Sequence, residues 1–485
     1  MTDGSTPGAP PDGEPTQLEP TRLEPEPIAS AALEETRYAD LPKVPTGRQV
    51  APNLLSRVLV ASLIVAALFV AGTVAFVWGD DAQRGAQRRT APAPTAEAPL
   101  DPAVGRRVAV TQLLKQRGEA VRAKDKSAFL ALIDPTAEEF RAQQSELFDR
   151  LAKLPFADWS YELAGEGPDV PPDRALQLPR GTAIARVRLH YQFEGSDSQV
   201  EREQYLTVVP RGGHWLLAGN DDATSAGLQT ERDIWDLGSV QVVHGKSSLV
   251  LGDAPKKDLS RLAAEADRSV TDVGGVWKAD WSRHPVLVLP RSQQDMATLI
   301  GSDGKGLSQI AAVTTGSFES GLSRGDRIVV NPSAWRTLGG LGRRVVLTHE
   351  MTHLATRAVT VDPVPIWLSE GFADYVAYKA VKVPTNVVAG DVLDDVRKGR
   401  GPKVLPVNQD FDASRGDIAA AYEGAWLACR MIAERYGQPQ LIQLYLSLSD
   451  SKSPPPGGDI KATLGITDDT LVKQWRGYLV SRTKA

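Results

Sequence analysis

His349-Glu350-Met351-Thr352-His353 decides how this 485-residue chain is read. On a helix, side chains four residues apart share a face, so both imidazoles reach a single metal ion while Glu350 stands beside it. The flanking residues suit such a helix. Gly342-Arg343-Arg344-Val345-Val346-Leu347-Thr348 leads in and Leu354-Ala355 follows, with little charge, as in a buried helix. Two histidines and a glutamate in apolar surroundings need partners, because burying an unpaired polar group is costly. A metal ion satisfies all three; a pair of ordinary core histidines is the plainer alternative.

Outward from the motif, sixteen residues separate His353 from Glu370. They leave room for the helix to end, for a loop at Val361-Asp362-Pro363-Val364-Pro365, and for a second helix to run back from Ile366. Catalytic zinc sites hold three protein ligands and keep one position for water. Glu370 is the expected third ligand. Asp374, one turn further along the same face, is placed to accept the outer N–H of a ligating histidine and so fix its tautomer. Its alternative is a solvated helix carboxylate.

The pairing of this motif with Trp367-Leu368-Ser369-Glu370-Gly371-Phe372-Ala373-Asp374-Tyr375 resembles the gluzincin metallopeptidases. In that family HExxH is followed, after a spacer, by a glutamate in a Trp-Leu-x-Glu-Gly-x-Ala segment. The resemblance covers about Val286 to Gly437. It implies a thermolysin-like zinc peptidase domain with His349, His353 and Glu370 as ligands and Glu350 as general base. The spacer is shorter than in the best-known aminopeptidases of the group, and their Gly-x-Met-Glu-Asn-type segment has no counterpart here. Tyr422-Glu423-Gly424-Ala425-Trp426-Leu427 resembles the family's tyrosine helix, one residue short between Tyr and Gly, and implies that Tyr422 donates to the oxyanion. An ordinary core aromatic is the alternative. Asp326-Arg327-Ile328-Val329-Val330-Asn331-Pro332 reads as a strand closed by proline. By the same resemblance it takes the place of the sheet edge that pairs with an extended substrate; a plain structural strand is the simpler reading.

The rest of the chain divides by composition. Residues 1–53 are rich in Pro, Glu, Thr and Ala, too polar to offset ordering entropy, and read as a disordered cytoplasmic tail with a short repeat at Thr16–Pro25. Within 54–79, Val58 to Trp78 is an uncharged apolar run of 21 residues, long enough to span a bilayer core of about 30 Å. Residues 80–103 form a linker. Helical stretches at Val108–Ala123 and Glu138–Leu154 precede strands at Ala183–Phe193, Val200–Val209 and His214–Gly219, with Gly212-Gly213 as a tight turn. That order makes 104–236 similar to the cone-shaped nuclear-transport-factor-like fold. His190 and His214 lie in its strands and read as structural. Residues 237–485 form the peptidase domain, strands first and helices later, and the whole is α+β.

Composition excludes other classes. Net charge is −5 with no basic stripe, which argues against nucleic acid as a partner. The single cysteine, Cys429, has no internal disulfide partner and sits mid-helix as a small hydrophobe. Nothing in the sequence fixes an oligomeric state. The expectation is a zinc metallopeptidase anchored in the cell membrane by one span, acting outside the cytoplasm on a peptide or protein substrate. Zn2+ would be held by His349, His353, Glu370 and one water, and Glu350 would activate that water. The alternative is a catalytically lapsed surface binding or scaffold protein that uses the upstream α+β domain.

Overall fold

The structure, a computed structural model, describes residues 102–484 apart from 197–198, 320–321, 361–363, 413–417 and 450–457. The expected tail, the expected membrane span and all but the end of the expected linker lie outside the described residues. Among the described residues, no helix is long and apolar enough to cross a membrane.

Helices α1 (Pro102–Arg122) and α2 (Glu138–Leu151) pack on a four-stranded antiparallel meander of β1 (Phe156–Glu166), β2 (Ala183–Phe193), β3 (Gln199–Arg211) and β4 (His214–Gly219). Strand β2 shows why one face turns inward: Ala185, Val187, Leu189, Tyr191 and Phe193, every second residue, are buried. Gly212 and Gly213 make the β3–β4 turn at φ of 56° and 83°, the region a two-residue hairpin needs and glycine reaches without strain. Strand β1 was not expected, although Trp159, Tyr161 and Leu163 alternate with Ser160 and Glu162 along it.

The second sheet contains β5 (Gln241–His244), β6 (Leu249–Gly252), β7 (Val286–Leu289), β8 (Ala312–Glu319) and β9 (Leu322–Val330), in the order β5-β6-β7-β9-β8. Helix α3 (Lys256–Val276) carries the chain from β6 to β7, which are parallel. The apolar runs Leu249–Leu251 and Val286–Leu289 are buried along their whole length, as central parallel strands require. Helices α4 (Gly340–Arg357), α5 (Ile366–Lys379), α6 (Gly390–Arg397), α7 (Ala419–Tyr436), α8 (Gln438–Ser449) and α9 (Asp468–Arg482) follow. Helix and sheet together make the protein α+β.

One expectation is corrected. The strand at Asp326–Pro332 is not the sheet edge. It is β9, held between β7 on one side and β8 on the other, with Ile328, Val329 and Val330 fully buried. The hairpin folds β8 to the outside, and β8 is the edge. Pro332 belongs to the next short helix, whose N-cap Asn331 accepts the Ser333 and Ala334 amides.

The two sheets share one core. Trp159, Tyr191, Phe193 and Trp235 belong to the same buried cluster as Val250 and Leu287, and the partly buried Phe156 packs against it. At this junction the Arg327 guanidinium on β9, 4% exposed, donates to the Tyr191 hydroxyl at 2.7 Å and to the Asp233 carboxylate. Arg202 lies 3.5 Å from the same carboxylate. Burial alone would raise the Asp233 pKa, but Arg327 and Arg202 together hold it below the usual carboxylate range. A carboxylate depressed in the folded state stabilises above its unfolded pKa of about 4 and loses that contribution as pH falls. The free energy of unfolding is therefore expected to drop as pH falls below about 4. In Asp233→Asn, denaturant titrations should show a shallower drop; an identical slope would exclude this group.

Candidate metal centre

The motif helix α4 is buried on every side from Val345 to Ala355, which is why it tolerates so few charges. It is fixed to α3 by Arg344, whose Nε and Nη2 donate to Asp272 at 2.8 Å each, and by the Thr348 hydroxyl, which donates to Ser269 at 3.1 Å. Helix α5 comes back alongside it. Where α5 crosses α7 the two backbones touch: a Cβ on Gly371 would stand 2.3 Å from the Ala425 carbonyl oxygen and 2.9 Å from the Cys429 sulfur. Glycine is required there by the close approach, immediately after Glu370.

That packing brings His349, His353 and Glu370 together, all buried, with one ligand atom from each lying within 4.8 Å of the others. The two Nε2 atoms are 3.0 Å apart, and Glu370 Oε2 lies 3.2 Å from His349 Nε2 and 3.5 Å from His353 Nε2. Ligands held at 2.0–2.1 Å in a tetrahedron stand about 3.3 Å from one another, so the three atoms have the spacing of one face of a small-cation site. Glu370 Oε2 is buried without a hydrogen bond. Buried ligand atoms crowded together with a carboxylate oxygen that makes no hydrogen bond are an arrangement that a metal ion resolves. The residues present fit a divalent ion.

Asp374 Oδ1 accepts from His349 Nδ1 at 2.8 Å, which leaves Nε2 to face the other two ligand atoms. The electrostatics follow the same logic. Burial pushes the Glu370 carboxyl up, but the His353 and His349 rings outweigh it and hold the pKa at about 2. Burial would lower His349, yet Asp374 and Glu370 raise it well above the ordinary histidine value. Desolvation raises Asp374 and lowers His353. The cluster's demand is for positive charge among these three atoms.

Glu350, next to His349 in the motif helix, is fully buried and lies within the electrostatic reach of His349 and Glu370. Its Oε2 accepts from the Thr314 hydroxyl at 2.7 Å, while Oε1 has no hydrogen-bond partner. Burial pushes its pKa up to about 7, opposed by His349 and by the Thr314 hydrogen bond. Compared with known proteins, the chain matches no family model and no curated protein. The reading of this site therefore rests on its geometry and chemistry.

Tyr422 lies on α7, 2% exposed, with its ring edge-on to Phe411 at 4.9 Å between centroids. Burial raises its phenol, and the carboxylates of Glu370, Asp374 and Glu350 raise it further, so it stands within the field of the metal cluster. Helix α7 begins three residues before Tyr422, and Gly437 ends it at φ 102°. Cys429 is fully buried in the same helix.

Three contributors were not foreseen. Thr314 on β8 orients Glu350, and its carbonyl accepts from Arg357 Nη1 at 3.2 Å, so the edge strand is tied to the motif and to the last residue of its helix. Arg357 also lies 3.6 Å from Asp326 Oδ1 on β9. Glu423, next to Tyr422, accepts the Val392 amide at 2.7 Å and so fixes α6 against α7. Thr314 sits in Ala311-Ala312-Val313-Thr314-Thr315, where nothing in the sequence sets one threonine above its neighbour.

Gly371→Ala tests how rigidly the third ligand is seated. Alanine gains about 1 kcal/mol of helix propensity over glycine, but overpacking of this kind costs about 1–3 kcal/mol and moves backbone. The clash is with a carbonyl, so overpacking wins. Metal affinity measured by competition with a chromophoric chelator should fall more than tenfold (roughly 1.4 kcal/mol). Unchanged affinity would show that the crossing does not position Glu370.

Proposed function

We propose that this chain is a zinc-dependent metallopeptidase, anchored in the cell membrane through the apolar run at 54–79 and acting on peptide or protein substrates outside the cytoplasm. The observation that carries the reading is a single point in the core on which His349, His353 and Glu370 converge, with a buried, unpartnered oxygen on Glu350, the residue next to His349. Two imidazoles and one carboxylate suit zinc. Zinc bound there supplies Lewis acidity, acidifying water and polarising a substrate carbonyl.

The chain's own residues do the rest. Glu350 Oε1 takes a proton from the attacking water and returns it to the leaving amide nitrogen. Thr314 holds the other oxygen, so the carboxylate cannot swing away from that task. The Tyr422 phenol donates to the oxygen that gains charge. The outer edge of β8 offers backbone pairing to an extended substrate, with side-chain pockets giving specificity. The finer fold assignment belongs with this reading: a thermolysin-like zincin domain of the gluzincin kind at 237–485, after a nuclear-transport-factor-like domain at 104–236. Supporting it are the order strand, HExxH helix, glutamate helix, tyrosine helix, and the two helices followed by an antiparallel meander.

The test uses the full chain purified in detergent. Elemental analysis should give one zinc per chain. A mixed peptide library should be cleaved, with cleavage stopped by a zinc chelator and restored by added zinc. Full zinc occupancy with no cleavage would leave a metal-binding protein and remove the peptidase.

A further inference from the structure

Strand β8, which carries Thr314, is the sheet edge, and its strand partner is β9. β9 is itself held unevenly. Among the described residues, β7 pairs with it only at Ile328 and Val329, so Gly325, Asp326 and Arg327 run on without that neighbour. The β8–β9 register also shifts between Thr315 and Ser317, which breaks the ladder locally. Arg327 opposite Thr315 is the first regular pair after the break, and Ile328 opposite Thr314 is the next.

The upstream module takes hold of this stretch. Gly325 approaches β3 so closely that a Cβ on it would stand 3.0 Å from Val200 Cα and 3.3 Å from both Val200 methyls. Two residues on, Arg327 Nη1 donates to the Tyr191 hydroxyl at 2.7 Å and to the Asp233 carboxylate. Arg327 Nε and Nη2 make no hydrogen bond, so Nη1 carries the whole grip. All three residues are buried, and breaking a buried charge pair is costly. From there two steps reach the base. The Thr315 hydroxyl lies 3.4 Å from the Arg327 carbonyl oxygen. The neighbouring Thr314 hydroxyl lies 2.7 Å from Glu350 Oε2 and 3.0 Å from the Glu350 carbonyl oxygen.

We infer that Arg327 is a positioning residue for Glu350: gripped by Tyr191 and Asp233, it fixes the β8–β9 register that sets Thr314 against the base. The upstream module is then part of the support of the reaction centre and not a spacer. This inference rests on the peptidase reading. Its expected signature is a loss in the chemical step, since displacing a catalytic group by about 1 Å can cost about a hundredfold in rate. The zinc ligands stand on α4 and α5, so the metal should stay.

The experiment measures kcat per bound zinc, KM and zinc content on the full chain in detergent. Arg327→Met should keep one zinc per chain and a KM within about twofold, while kcat falls about tenfold. Arg202, 3.5 Å from the Asp233 carboxylate, remains to pair with it in this variant. Arg327→Lys should recover most of the loss, because one ammonium can replace the single nitrogen in use. In a Thr314→Val background the Arg327→Met change should cost no more than about twofold, since residues acting through one contact are not additive. Hydrogen exchange, which needs no activity, should quicken over residues 312–316 in Arg327→Met but not over Val286–Leu289, whose pairing with β6 is untouched. If Arg327→Met does not fold, Tyr191→Phe, which keeps the ring and removes one acceptor, should lower kcat several-fold. Unchanged kcat per zinc in a folded variant, full additivity with Thr314→Val, or equal exchange changes in both strands would overturn the inference and leave the peptidase standing. A parent protein that cleaves nothing removes both.

Discussion

Glu350→Gln should lower peptide hydrolysis by about three orders of magnitude or more while the metal stays in place. Glutamine has the same shape and still offers a carbonyl oxygen to the Thr314 hydroxyl, which now donates to Glu350 Oε2 at 2.7 Å. What it lacks is the ability to take up a proton at the oxygen that has no partner. Positioned general bases contribute about 10²–10⁴-fold, and a thousandfold is about 4 kcal/mol of barrier. The three ligand atoms belong to other residues, so zinc content should remain at one per chain. Exchanging a buried carboxylate for an amide removes a desolvated charge, and the melting temperature should not fall. The decisive measurement is kcat on a cleaved peptide alongside elemental analysis of the same sample. A variant that turns over at the parent rate with full zinc would end Glu350's role.

His353→Ala should act at the other end, through the metal. With His353 gone, His349 and Glu370 remain, and Glu370 loses the ring that contributes most to keeping it ionised. An ion bound only by the native state stabilises it by about 4 kcal/mol when present at a thousand times its dissociation constant. For a unit of this size that corresponds to a melting temperature difference of about 8–16 °C. The parent protein should therefore lose stability on addition of chelator. The variant should purify without zinc, melt lower, and show no response to chelator. If His353→Ala keeps one zinc per chain, the ligand set is wrong.

How much of this was legible depended on whether the signal was local. The motif helix, the return helix from Ile366 and the strands of the first sheet from Ala183 onward show their periodicity in their own residues, and the structure places them within a few positions of the reading. The bond of Asp374 to His349 comes from the structure, but Asp374 could be put on the same helix face as Glu370 from spacing alone, because one helical turn separates them. Strand β8 could not. Its Ala312-Val313-Thr314-Thr315-Gly316-Ser317 is small and polar enough to pass for a loop, and only pairing with β9 makes it a strand. Missing β8 left the edge role open for β9 beside the plain structural strand that it is, and hid Thr314, whose role exists only because an edge strand passes Glu350. The Arg327 cluster is likewise a product of tertiary closure. It joins residues far apart in sequence and leaves no pattern along the chain.

The Arg327 guanidinium bears on where this polypeptide can be cut. Composition draws the line between its two modules at residue 236, and a clone starting at 237 looks like a natural choice for crystallisation. Such a fragment would keep the arginine and discard both Asp233 and the Tyr191 hydroxyl, its acceptors. It would also strip Trp235 and its aromatic neighbours from the cluster that includes Val250 and Leu287. The C-terminal half prepared alone is expected to be poorly soluble, for want of a surface that only its neighbour provides.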